Sequence, residues 1–154
     1  MTLENAIRLM EKLNIEGEII SHSQSGKTTR EASKALNIDP GFILKSLLLV
    51  SKKKKHVAVI ITGDKRVDFK KVEKITGFKK LRLATSSEVE AVTGFKVGGV
   101  PPFAFHDKCP VIVDEEVMKK NFVIGACGDE FHGIKLNPEV FIKLGYRIAD
   151  IVES

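Results

Sequence analysis

The chain has no tryptophan, one tyrosine (Tyr146) and only two cysteines, Cys109 and Cys127, among 154 residues. Each scarcity closes a class of function. Two cysteines cannot build a disulfide framework, and both are read as reduced thiols. Without tryptophan and with a single tyrosine, a platform that stacks several successive bases is not expected, although phosphate contacts by basic side chains stay open. No apolar run approaches the roughly 20 residues of a membrane span. The opening MTLENAIRLMEKL interrupts its apolar residues with Glu4, Arg8, Glu11 and Lys12, so it lacks the h-region of a secretory signal. A cytoplasmic protein without membrane association is expected. GxGxxG, GxxxxGK[ST], GxSxG and HExxH are all missing, which removes the commonest nucleotide, serine-hydrolase and zinc-protease signatures.

What is present fits one folded unit over residues 1–154: 43% of the residues are hydrophobic and 29% charged. Lysine and arginine number 25 against 20 acidic residues, a net charge of +5 that favours an anionic partner without naming one. Lys52 to Lys55 form an unbroken run and read as a solvated hairpin tip, while Lys70, Lys71, Lys74, Lys79, Lys80 and Arg82 cluster further on.

Periodicity and capping signals divide the chain. Leu3, Ile7, Met10 and Leu13 predict a helix over 2–13, and Glu18 to His22 a short strand. Thr28 with Glu31, and Thr85 with Glu88, are capping-box pairs that open helices, the second closing at Gly94. Residues 43–50 and 57–62 read as central strands of a hairpin, 68–77 as a helix closed by Gly77, and 81–84 as a strand. Strands over 110–113, 122–127, 134–136 and 146–151 follow. A short helix from Asp114 to Lys119 and a last one opened by Asn137 and Pro138 lie between them, with Gly128 to Gly133 as a turn. Roughly seven strands and five or six helices in irregular order predict an α+β fold with a mixed, largely antiparallel sheet or partial barrel flanked by helices.

Two features stand out against this background. Thr93 to Phe105, TGFKVGGVPPFAF, sets three glycines and two prolines among apolar residues instead of polar ones. Phe95, Val97, Val100, Phe103 and Phe105 would be costly to leave in water, so a buried, shaped loop is expected. Consecutive glycines let backbone N–H groups approach a ligand, and the same residues equally suit a tight packing corner. The second feature is Lys45, which strand alternation places on the face of Ile43, Leu47 and Leu49. An ammonium there must lie at a strand end, be paired, or stand at the wall of a water-accessible pocket. His106, Cys109, Cys127 and His132 only loosely resemble paired zinc ligands, and a Cys127–His132 nucleophilic pair would need an orienting group such as Asp129. His22 and His56 read as ordinary surface histidines.

TGFKVGGVPPFAF resembles the glycine-rich motif GxxxGGVxPF of the YbaK-type aminoacyl-tRNA deacylases, relatives of the prolyl-tRNA synthetase editing domain. His22, TTREASKALNI, ILKSLLLV, TGDKRVDFKKV, LRLATSSEVEAVTG and VIVDEEV agree with the same family in the same order, so the resemblance covers nearly the whole chain from residue 18. It implies an α+β domain around a pocket and hydrolysis of the ester that joins a wrong amino acid to tRNA, with no metal or cofactor and no DNA. Cysteine or alanine on proline tRNA is the substrate it points to first. The acceptor end of tRNA is the implied partner, with prolyl-tRNA synthetase as a second. By the same resemblance Lys45 holds the tRNA end or the carbonyl, Gly98, Gly99 and Val100 present backbone to the scissile carbonyl, and Pro101, Pro102 and Phe103 shape the amino-acid pocket. His22, Gly128, Asp129 and His132 are further candidates for substrate contact. Ala104 stands where many members have glycine, and CGDEFHGI replaces a small, glycine-rich segment, so a non-catalytic tRNA- or synthetase-binding module is the alternative.

Overall fold

The computed structural model describes residues 1–154. Helix α1 (Leu3–Lys12) buries Ala6 and Met10 on its inner stripe and is followed by strand β1 (Glu18–Ser21). Helix α2 (Thr29–Leu36) starts at Thr28, whose side chain accepts from the Glu31 N–H at 3.1 Å, and ends at Asn37 in the left-handed conformation, φ 51°. The reciprocal half of this capping box is replaced: the Glu31 carboxylate instead accepts from the Ser25 hydroxyl. A 3-10 turn (Pro40–Phe42) leads into β2 (Leu44–Val50), which pairs antiparallel with β3 (His56–Thr62).

Helix α3 (Phe69–Thr76) stops at Gly77, φ +76°, and the two-residue β4 (Arg82–Leu83) precedes α4 (Ser86–Thr93), whose Thr85–Glu88 capping box is complete. After the glycine- and proline-rich loop come β5 (Val111–Asp114), α5 (Glu115–Met118), β6 (Val123–Ala126), β7 (His132–Leu136), α6 (Glu139–Lys143) and β8 (Arg147–Ala149). The element order follows the sequence reading, with one displacement that matters. His132 and Gly133 belong to β7 and not to the preceding turn, because they pair with Ser21 and Ile20 of β1.

The strands form two sheets. One is antiparallel, in the order β1-β7-β6, and the other is mixed, in the order β4-β2-β3-β5-β8, with β3, β5 and β8 mutually parallel. A single bridge, Ile43 to Ile124, connects them. Beside it the rings of Phe42 and Phe122 stack at 4.8 Å, with the ammonium of Lys120 over one ring at 5.1 Å and that of Lys135 over the other at 4.7 Å. Both hairpin strands are central, as their apolar composition predicts.

Alternation in β2 and β3 separates two cores. Leu44, Leu48, Ala58 and Ile60 face inward to Val123, Ile134 and Leu136 of the other sheet, to Ala6 and Met10 of α1, and to Phe95, Phe103 and Phe105. Leu49, Val57, Val59 and Ile61 face α3 through Val72. Each fully buried phenylalanine contributes about 1.5–3 kcal/mol relative to exposure. The loop 94–105 therefore belongs to the main core, and its burial follows from its composition.

Candidate active site

Between the two sheets lies a cavity of about 310 Å³. Its floor is the start of β2, with Ile43, Leu44, Ser46 and Leu48; β6 and β7 supply Ile124, Gly125, Ala126, His132 and Gly133. Lys27, Thr28, Thr29 and Ala32 close it from the α2 side, Leu83, Ala84 and Ser86 from the β4–α4 side.

Lys45 lines this cavity from the second position of β2. Its Nζ donates to the carbonyl of Lys65, in the turn after β3, at 2.9 Å. No carboxylate lies within ion-pair distance of it. The three options that alternation leaves for this ammonium thus combine: near a strand end, partnered by a neutral carbonyl, and at a cavity wall. A half-buried cation whose partner carries no charge keeps its capacity to attract an anion.

The glycine loop joins the lining through Val97, Gly98 and Val100. The Gly99 N–H is consumed in the loop's own turn, donating to Lys96 O at 2.9 Å, whereas the amides of Gly98 and Val100 have no acceptor within the protein. Gly98 has φ +97°, a region that side chains rarely tolerate. Gly99 is required for a different reason: a Cβ there would lie 2.8 Å from Gly128 O and 2.9 Å from Asp129 N. The two backbones cross in direct contact, and Gly128 N donates to Gly99 O at 2.8 Å. Gly99, Gly128 and Asp129 accordingly stand behind the lining. Val97 departs from the buried reading, being 46% exposed at the cavity rim.

Pro101, Pro102 and Phe103 do not line the cavity either; all three are buried. Pro102 fills the space a side chain at Gly125 would need, 2.7 Å from its Cβ position, so Pro102 shapes the wall from behind through the bare backbone of Gly125. The signal for this was a glycine inside an apolar strand, which marks a close approach.

Two histidines line the cavity in different states. His22 hydrogen-bonds through Nδ1 to Gln24 O, and its Cε1–Nε2 edge abuts Gly26, so the ring organises its own loop. His132 hydrogen-bonds through Nδ1 to Asp129 Oδ1 at 2.7 Å, and the same oxygen accepts from Phe131 N at 2.8 Å. The candidate zinc residues do not assemble: His106 bonds Tyr146 Oη at 3.1 Å, and His106 and Cys109 line a separate groove. Burial pushes both thiols up to about 11, which leaves neither Cys109 nor Cys127 a ready nucleophile. The exposed Lys52 to Lys55 sit at the far end of β2, about 23 Å of strand from Lys45.

Residues 23–144 match the model of the aminoacyl-tRNA editing domain. The chain is 34% identical over 133 residues to a proline–tRNA ligase of Aquifex aeolicus, covering 86% of this chain and 23% of the ligase. It is 29% identical over 142 residues to EbsC of Enterococcus faecalis, whose name proposes a Cys-tRNA(Pro)/Cys-tRNA(Cys) deacylase, with 91% of this chain and 87% of that protein covered. A crystal structure described as a candidate trans-editing enzyme for prolyl tRNA synthetase superposes with a TM-score of 0.86 at 28% identity, spanning 100% of this chain and 99% of the other.

Proposed function

The chain belongs to the aminoacyl-tRNA editing domain family, and from that premise we propose that it is a trans-editing hydrolase that cleaves the aminoacyl ester of misacylated tRNA. The proline–tRNA ligase and EbsC likenesses direct the choice of substrate to cysteine or alanine carried on proline tRNA. Prolyl-tRNA synthetase is the partner that would hand over the mischarged product.

One observation carries this reading. Lys45, whose ammonium has no carboxylate partner, lines the same cavity as a loop whose Gly98 and Val100 amides lack acceptors. Ester hydrolysis places negative charge on the carbonyl oxygen in its tetrahedral intermediate, and preorganised N–H donors in a partly dry site stabilise that charge by a few kcal/mol. Lys45 leaves its neutral carbonyl partner for the 3′ end of tRNA, holding a phosphate or the carbonyl itself. Gly99 takes part by fixing the loop, since its own N–H is committed. A cavity of about 310 Å³ accommodates a small amino acid with part of the ribose.

The experiment is a deacylation panel: tRNAs charged with cognate and non-cognate amino acids, including cysteine and alanine on proline tRNA, assayed for released amino acid. Accelerated release from a mischarged member is expected. Release from none would refute the hydrolase, and tight binding without release would replace it with a tRNA-binding module.

A further inference from the structure

The deacylase reading leaves one question that its lysine and its loop do not answer, namely which group takes the proton of the attacking water. Most candidates in the cavity are already committed. Lys45 donates an ammonium N–H to Lys65 O, His22 is held by Gln24 O beside Gly26, and neither thiol is among the lining side chains. His132 alone among the lining side chains presents an imidazole backed by a carboxylate, its Nδ1 engaged by Asp129 and its Nε2 without a protein partner, whereas the partner of His22 is a neutral carbonyl.

We infer that His132 is the general base of the hydrolysis and that Asp129 is its positioning residue, an inference that rests on the deacylase reading above. The Asp129 carboxylate accepts at Nδ1, which places the ring proton there and leaves the Nε2 lone pair unprotonated. Asp129 is itself fixed by the Phe131 N–H, and the His132 backbone is fixed on two sides: it pairs with Ser21 of β1, and its carbonyl accepts from Cys127 N at 3.0 Å. A ring anchored in this way loses little freedom when substrate arrives.

The step balances with water as the only co-reactant. Water oxygen bonds to the ester carbonyl carbon while Nε2 receives its proton. The carbon–ribose oxygen bond then breaks, and the imidazolium returns that proton to the departing ribose oxygen, leaving free amino acid and tRNA with a restored hydroxyl. Asp129 holds the ring and stabilises its charged form between the two transfers. The other titratable groups around the ring are Glu130 in the same turn, Cys127 just past the end of β6, and His22, Lys27 and Lys45 elsewhere in the lining.

The test compares pH profiles of kcat/KM for wild type, His132→Asn and Asp129→Asn on one mischarged tRNA, with thermal melts as the check on folding. Asparagine at 132 keeps a donor toward Asp129 and deletes Nε2. His132→Asn should cleave about 100-fold more slowly and lose the acid limb of the profile. Asp129→Asn keeps the contact to Phe131 N but removes the charge that favours imidazolium, so its acid limb should move to lower pH. Wild-type rate and limb in His132→Asn, or an unshifted limb in Asp129→Asn, would overturn the general base while leaving the deacylase standing. Should His132→Asn not fold, the direction of the Asp129→Asn shift decides alone. Wild type that cleaves no mischarged tRNA overturns the deacylase and the general base with it.

Discussion

The two long walls of the cavity are made in opposite ways. One, formed by β2, β6, β7 and the loop 94–105, sets its half-buried lining groups on a fully buried backing that includes Phe95, Phe103, Val123 and Ile134, with Gly99 and Gly128 crossing backbone to backbone. The other, residues 22–36, contains no buried residue in its helix and is held largely by backbone hydrogen bonds from His22 N and Gly26 N to the 130–131 turn. The groups proposed to act on the ester sit on the packed wall. Positioning within a few tenths of an ångström needs a rigid support, and admitting a bulky polynucleotide end needs a side that yields.

Four substitutions test that division, in descending order of expected effect. Lys45→Ala should lower deacylation by about 1,000-fold, with a melting temperature near that of wild type, because it deletes one hydrogen bond to a carbonyl and no packing. Turnover near wild type would remove Lys45 from the mechanism. Gly99→Ala should cost about 3 kcal/mol of stability, roughly 6–12 °C in Tm, since the new methyl meets backbone that cannot rotate aside; an unchanged melt would show that the crossing is loose. On the other wall, Ala32→Leu intrudes into the cavity from a half-exposed helix. Stability should stay within about 0.5 kcal/mol, while kcat/KM falls several-fold more for a larger amino acid than for a smaller one, read from paired substrates. Equal losses for both would deny that wall a part in selection.

The smallest effect belongs to the seam between β4 and α4. The Arg82 guanidinium, with help from the Thr85 N–H, holds the Glu88 carboxyl down at about 2. A depressed carboxyl stabilises the fold above its ordinary range and loses that contribution as pH falls through about 2. Glu88→Gln should therefore lower Tm slightly at neutral pH, and the difference from wild type should close in strong acid. A difference that persists below pH 2 would assign the effect to something other than charge.

The two walls were not equally legible in the sequence. Lys45 could be placed by counting along one strand, and the loop by its apolar composition, because both signals are local. The crossing of Gly99 with Gly128 joins segments nearly thirty residues apart, and nothing near either glycine specifies its partner. For the same reason His132 read as a turn residue: the pairing that makes it a strand lies on β1, over a hundred positions upstream. Gly99 was credited with presenting its amide to a carbonyl, whereas the turn back to Lys96 takes that amide. Val97 was assigned to the interior by its side chain alone, yet it lies exposed on the cavity rim and outside the core.

The stacked pair Phe42 and Phe122, capped by Lys120 and Lys135, touches nothing in the cavity and yet sits where the two sheets meet. The sheets behave as the arms of a caliper, and this stack is its rivet. A bulkier or smaller ring there alters the spacing of the arms while every chemical group keeps its identity. Under the proposed deacylase activity, a change at the rivet would alter selectivity for amino-acid size without touching a lining residue.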